Sequence, residues 1–234
     1  MNAEVIILAA GKQTRFKNKL PKILSKIDDH TILDRNIKHF ANFKINLVIN
    51  KNNTKYFKKY KDKVNIIEIN GGLGSGGDLI EILPQIKSTI CLLIWGDVII
   101  GNCNEFNKIV NNLFYLIKDY DIVVPARLEK NPYIDLICKE GQIEKIHLPN
   151  TDEIRREYGL HDLSFFVFKK NKIQKYLIEM LKMKPEGFGF LEIFNLEKKP
   201  KHSTTMCYNK INESFNTVQE LRRIKNGNCG RRFR

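Results

Sequence analysis

Residues 4–22 read EVIILAAGKQTRFKNKLPK. Val5 to Ala10 is a short, continuous apolar run; it stops at Gly11, and a polar, basic segment leads to Pro21-Lys22. A run without alternation suits a strand buried on both faces, as in a parallel sheet. Open α/β sheets collect ligands at the carboxyl ends of such strands. A glycine there lets the backbone approach a phosphate, and successive N–H groups can turn toward its oxygens. Arg15 supplies a rigid fork of donors, while Lys12 and Lys22 supply mobile point charges. The glycine spacing is neither that of a P-loop nor that of a dinucleotide fingerprint. By residue type alone, an ordinary basic surface loop reads the same way.

Working outward, the apolar periodicity predicts strands at Asn46–Asn50, Val64–Ile69, Ile90–Trp95 and Ile122–Val124 and helices over Ile32–Phe40 and Asn104–Lys118. The run 71–77, GGLGSGG, reads as a flexible loop, with Asp78 as cap of a helix carrying Leu79, Ile82, Leu83 and Ile86. Strands alternating with amphipathic helices predict stacked βαβ units. The fold class is therefore α/β: a Rossmann-like mixed, mostly parallel sheet with flanking helices and a small β-rich lobe. Residues 1–125 form the core. Residues 126–210, with a hairpin turning at Glu140-Gly141, a strand over Leu163–Phe168, a helix capped by Asn171 and a strand over Thr204–Tyr208, form a substrate-facing lobe inserted into, or built onto, the same sheet. Residues 211–234 hold a last helix, capped by Ser214 or Asn216, and a basic tail. One continuous domain of 234 residues is expected.

Composition narrows the class. Apolar residues make up 42% and charged residues 28%, which is globular rather than disordered. The net charge of +14 favours anionic partners without choosing one. The C-terminal arginines read as a solvated tail, and nucleic acid is not the expected partner. Five cysteines without CxxC spacing argue against a disulfide framework or zinc site. No signal peptide and no membrane span are expected, and the predicted location is the cytoplasm.

Two oxygen-bearing side chains stand out. Gly96-Asp97 closes the most hydrophobic strand, where a carboxylate is costly without a partner. A helix cap explains it, and so does a ligand for a hard cation. Asn216, just before the last helix, carries the same two readings.

The stretch Leu8-Ala9-Ala10-Gly11-Lys12-Gln13-Thr14-Arg15-Phe16 with Pro21-Lys22 resembles the signature of the nucleotidyltransferases that make nucleotide sugars and related activated compounds. That pattern is LAAGxGxR(M/F), a spacer, and PK; Gln13 stands where it has its second glycine. Leu73-Gly74-Ser75-Gly76 looks like the LGTG base loop of the N-acetylglucosamine-1-phosphate uridyltransferases. The resemblance implies nucleotide contact by Leu8, Ala10, Gly11, Lys12, Gln13, Thr14, Gly74 and Ser75. It implies a triphosphate clamp at Arg15, a bridging lysine at Lys22, and Mg²⁺ on Asp97 and Asn216. The acceptor region departs most: Asp162 and Glu192 are the acceptor-binding residues by position, and Glu192 reads equally as a surface acid. The chain is expected to lack the left-handed β-helix of the bifunctional enzymes.

The implied reaction transfers a nucleotidyl group from an NTP to a phosphorylated small molecule and releases pyrophosphate. UTP with N-acetylglucosamine 1-phosphate is the first choice. A CTP-dependent cytidylyltransferase acting on a sugar, polyol or choline-like phosphate is the second, and a catalytically silent regulatory or RNA-binding module the third. The oligomeric state stays open. A phosphate monoester, with a second pKa of about 6, needs no strong base, so none of the five histidines is assigned a role.

Overall fold

The computed structural model describes residues 2–11, 13, 16, 18, 20–148, 156–208 and 211–226. In chain order the first half runs β1 (Ala3–Ala9), β2 (Lys26–Ile27), β3 (His30–Thr31), α1 (Ile32–His39), β4 (Lys44–Asn50), α2 (Thr54–Phe57), β5 (Asn65–Ile69), α3 (Gly74–Ile82), β6 (Ile90–Trp95), β7 (Ile99–Ile100) and α4 (Cys103–Leu116). The second half runs β8 (Ile122–Lys130), β9 (Asp135–Lys139), β10 (Gln142–His147), β11 (Tyr158–Asp162), β12 (Phe165–Lys169), α5 (Lys170–Met183), β13 (His202–Met206), β14 (Asn212–Glu213) and α6 (Val218–Asn226).

An eight-stranded sheet has the order β11-β8-β12-β6-β1-β4-β5, with β13 on β8. Pairing is parallel for β1 with β4 and β6, for β4 with β5 and for β8 with β13. β12 lies antiparallel between β6 and β8, and β11 is antiparallel to β8. The expected mixed, mostly parallel sheet is therefore present, and the later strands are built onto it. Successive strands after β1 go first to β4 and β5 on one side, then to β6 on the other. The chain thus changes sides at β1 and β6, and such a switch point opens a crevice at the strands' carboxyl ends.

Each sheet face buries its own core. Val5 and Ile7 pack with α1 and α4 residues such as Leu33 and Phe106 on one face, while Ile6 and Leu93 pack with α3 and α5 residues such as Leu79 and Leu177 on the other. Strands covered on both faces explain why β1 and β6 read as unbroken apolar runs. The β9–β10 hairpin stands off the main sheet. Its turn puts Glu140 and Gly141 at φ 50° and 76°, as a two-residue hairpin turn requires.

Several local expectations are corrected. The 71–77 glycine run is not a loop throughout, because α3 starts at Gly74 and Asp78 lies inside it, 6% exposed. Asn171 does not cap α5, which starts one residue earlier after Lys169. The cap of α6 is neither Ser214 nor Asn216: Thr217 Oγ1 accepts the Glu220 N–H, and the Glu220 carboxylate accepts the N–H groups of Asn216 and Thr217. Glutamate three residues after threonine closes a capping box. Among the described residues no helix is long and apolar enough to cross a membrane.

Candidate active site

The carboxyl ends of β1 and β6 frame a cavity of about 210 Å³ whose lining includes Leu8, Gly11, Gln13, Lys22, Asp97 and Asn216. Three separate pieces of backbone bring these residues together. The first is the turn after β1, where the Phe16 N–H donates to the Gln13 carbonyl at 3.0 Å. Phe16 is buried and packs on Phe215, with ring centroids 5.5 Å apart. The second is the turn Lys22–Leu24 behind Pro21, anchored by buried Ile23 and Leu24. The third is the C-terminal segment. Strand β14 pairs antiparallel with β7, Glu213 opposite Ile99 and Asn212 opposite Ile100, and this short ladder carries Phe215 and Asn216 back to Asp97.

Lys22 is the hub. Its Nζ lies 2.6 Å from Asp97 Oδ2 and 3.5 Å from Asn216 Oδ1, and it sits 5.2 Å from the centroid of the Phe215 ring. The Lys22 and Asp97 side chains are 14% and 21% exposed. The pair is therefore sheltered yet reachable, which strengthens its attraction relative to a surface pair. Neither bland alternative holds for the two oxygens. Asp97 caps no helix but sits in the turn between β6 and β7, and the capping work before α6 is done by Thr217 and Glu220. The Asp97 carboxylate and the Asn216 amide oxygen are hard donors converging on one cation. Magnesium is commonly held by one or two protein oxygens with phosphates and water completing its shell, so this pair fits that ion. Among the described residues no cluster of three or more His, Cys, Asp or Glu residues forms a fuller metal cage.

A second cavity, of about 370 Å³, adjoins the first through Leu8 and Gly11 and is lined further by Gly72, Gly74, Ser75, Asp78 and Trp95. The glycines here serve packing. A Cβ on Gly76 would sit 2.1 Å from the Phe188 ring, and one on Gly74, whose φ is +70°, 2.3 Å from the Phe188 carbonyl. Ser75 Oγ accepts the Phe190 N–H at 2.8 Å. Burial pushes the Asp78 carboxyl up to about 6, with Glu81 adding to the effect and the Gly72 N–H opposing it.

Against curated and solved proteins the chain gives a consistent picture. No protein-family model matches it. The bifunctional protein GlmU of Francisella tularensis subsp. novicida is 23% identical over 223 residues, 91% of this chain and 48% of that protein. The GlmU of Vesicomyosocius okutanii is 24% identical over 81% of this chain and 43% of that protein. The chain spans about half the length of the curated relatives it matches. CTP:phosphocholine cytidylyltransferase from Streptococcus pneumoniae (LicC) superimposes with a TM-score of 0.75 at 13% identity, covering 97% of this chain and 99% of that one. The chain has the nucleotidyltransferase fold. HddC from Yersinia pseudotuberculosis, solved in complex with GMP-PN, gives a TM-score of 0.72 at 18% identity over the same shares, 97% and 99%. The resemblance to the nucleotidyltransferases that make nucleotide sugars, read from the first signature and the Leu73–Gly76 loop, is borne out at this level.

On that nucleotidyltransferase fold, the expected site residues divide into groups. Leu8, Gly11, Gln13, Lys22, Asp97 and Asn216 share the first cavity, and Gly74 and Ser75 the second. Ala10 is buried and lines neither cavity. Lys12, Thr14 and Arg15 lie outside the described residues. Asp162 and Glu192 line neither cavity. Glu192 is buried: one oxygen accepts the Gly189 N–H at 2.6 Å, and the other is held by Lys184. One oxygen is taken by its own turn and the other by the lysine that follows α5, so Glu192 is not a surface acid. Asp162 Oδ1 accepts the Ser164 N–H at 2.8 Å, while Oδ2 is buried without a partner among the described residues. Burial raises its pKa. Sequence reasoning missed Phe215 and Asp78. A lone aromatic before Asn216 carries no signal, and Asp78 was masked by its resemblance to a cap.

Proposed function

We propose that the chain is a nucleotidyltransferase that joins the nucleotidyl group of an NTP to a phosphorylated small molecule and releases pyrophosphate. One observation carries this reading: Lys22, Asp97 and Asn216, from three distant parts of the chain, meet beside the turn after β1. An acceptor phosphate oxygen attacks the α-phosphorus, a new P–O bond forms, and the α–β bridge breaks with its electron pair leaving on pyrophosphate. Lys22 offsets charge between the two phosphorylated reactants, and its flexible stem lets the ammonium exchange the Asp97 carboxylate for phosphate oxygens. Lys12 and Arg15, which lie outside the described residues, are assigned to the leaving pyrophosphate by the resemblance alone. Asp97 and Asn216 hold Mg²⁺, which when bound neutralises triphosphate charge. Positioning and electrostatics dominate such transfers, which fits the lack of any need for a strong base.

The preferred pair is UTP with N-acetylglucosamine 1-phosphate, supported by the Leu73–Gly76 resemblance and the similarity to GlmU. Asp78 favours a second reading. A carboxylate beside the second cavity accepts from an exocyclic amine, which cytosine carries and uracil lacks. The deciding experiment is pyrophosphate release from each of four NTPs against a panel of sugar, polyol and choline phosphates, with and without magnesium. Release with no combination would refute the reading.

A further inference from the structure

The signature that this chain resembles has glycine where Gln13 stands, and the backbone still takes the glycine-like conformation: Gln13 has φ +53°. A residue with a Cβ is disfavoured there. The side chain is far from idle. Its Oε1 accepts the backbone N–H of Lys22 at 2.6 Å, nine residues along the chain. An N–H can only donate, so the amide orientation is fixed by chemistry: the oxygen faces Lys22 and the NH₂ group is the remaining polar end. That nitrogen has no hydrogen-bond partner among the described residues, and Gln13 is part of the lining of the same cavity as Lys22 and Asn216.

We propose that Gln13 both positions Lys22 and binds ligand: its amide oxygen pins the Lys22 backbone, and its amide NH₂ donates to an oxygen of the phosphate chain held in that cavity. Naming the ligand a phosphate chain rests on the function proposed above. The latch ties Gln13 to the Lys22–Leu24 turn, so the lysine ammonium is presented from a backbone held on both sides; the Lys22 carbonyl also accepts the Ser25 N–H at 2.9 Å. A glycine would relieve the backbone and lose both contacts.

The test uses the full chain and inorganic pyrophosphate, titrated by calorimetry. Gln13→Glu keeps an acceptor for the Lys22 N–H and replaces the donor by a negative oxygen. Binding is expected to weaken about tenfold or more, with an unchanged melting temperature. Gln13→Gly, which suits the backbone, is expected to stay folded and to weaken binding as well. Pyrophosphate affinity in Gln13→Glu and Gln13→Gly equal to that of the unaltered chain overturns the proposal, as does an unaltered chain that binds no pyrophosphate. Turnover separates this from the broader reading. If NTPs react, Gln13→Glu raises KM for the NTP while KM for the acceptor stays put. If none reacts, the nucleotidyl transfer reading fails and the pyrophosphate titration still decides the role of Gln13.

Discussion

Lys22 carries the heaviest load of any single side chain in the cleft. Its backbone is held by Gln13 and by its own turn, so removing the side chain leaves the local fold in place. Lys22→Ala is expected to lower turnover about a hundredfold, the loss of one well-aimed donor worth about 3 kcal/mol, with no drop in melting temperature. Wild-type turnover in that variant would remove Lys22 from the mechanism. Asp97 makes a different prediction. Asp97→Asn keeps the size and the ability to accept from Lys22 but deletes the charge. If the carboxylate holds Mg²⁺, the metal concentration for half-maximal turnover rises about tenfold or more. A metal titration that superimposes on the unaltered chain's would leave Asp97 only its ion pair with Lys22.

Among the elements, the clearest lesson is α3. Strand β6 was legible to the residue, Ile90–Trp95, because it is apolar throughout and ends at Gly96-Asp97. The Leu79, Ile82, Leu83 and Ile86 stripe was legible for the same kind of reason, and all four are buried. The start of α3 was not. Glycines at 74, 76 and 77 are poor helix formers by propensity; the reason for the first two lies more than a hundred residues away in Phe188, which no local pattern announces, while Gly77 makes room for the Leu73 side chain. Asn216 is similar: its arrival beside Asp97 depends on the two-residue pairing of β14 with β7, too short to leave a period. Tertiary contact overrode propensity in both places. Gly76→Ala therefore tests the element. The new methyl meets the Phe188 ring at contact distances of 2.1–2.7 Å, and overpacking of this kind costs about 1–3 kcal/mol. Urea denaturation should show that loss, and shrinking the ring with Phe188→Leu should make the combined loss smaller than the sum. Strict additivity would mean that the two sites do not touch.

For the whole molecule, the buried titratable groups set how stability follows pH, and they oppose one another. Burial raises the carboxyls of Asp78, to about 6, and of Asp162. Burial lowers the imidazoles of His202 and His39. His202 ties the β9–β10 hairpin to the sheet: its Nε2 accepts the Ile143 N–H at 2.7 Å, and its Nδ1 bonds the Pro200 carbonyl, so the folded ring is neutral. On acidification from 7, the unfolded chain protonates His202 near 6.5 while the folded chain resists, and stability falls. Asp78 works the other way: the folded chain takes its proton near 6, the unfolded chain only near 3.8, and stability rises as pH falls between those values. Asp78→Asn removes the cost of a buried charge at pH 7.5, worth up to about 3 kcal/mol for a shift of this size, and the gain shrinks as pH falls toward 4. His202→Gln removes the opposing slope, so its stability rises where the unaltered chain's is held level. Urea midpoints measured from pH 7.5 to 4 for the three proteins decide the matter. The Asp78→Asn curve must cross toward the unaltered one on acidification and the His202→Gln curve must diverge upward from it, because the two groups take up protons in opposite states of the chain; three parallel curves would mean that neither group titrates differently on folding.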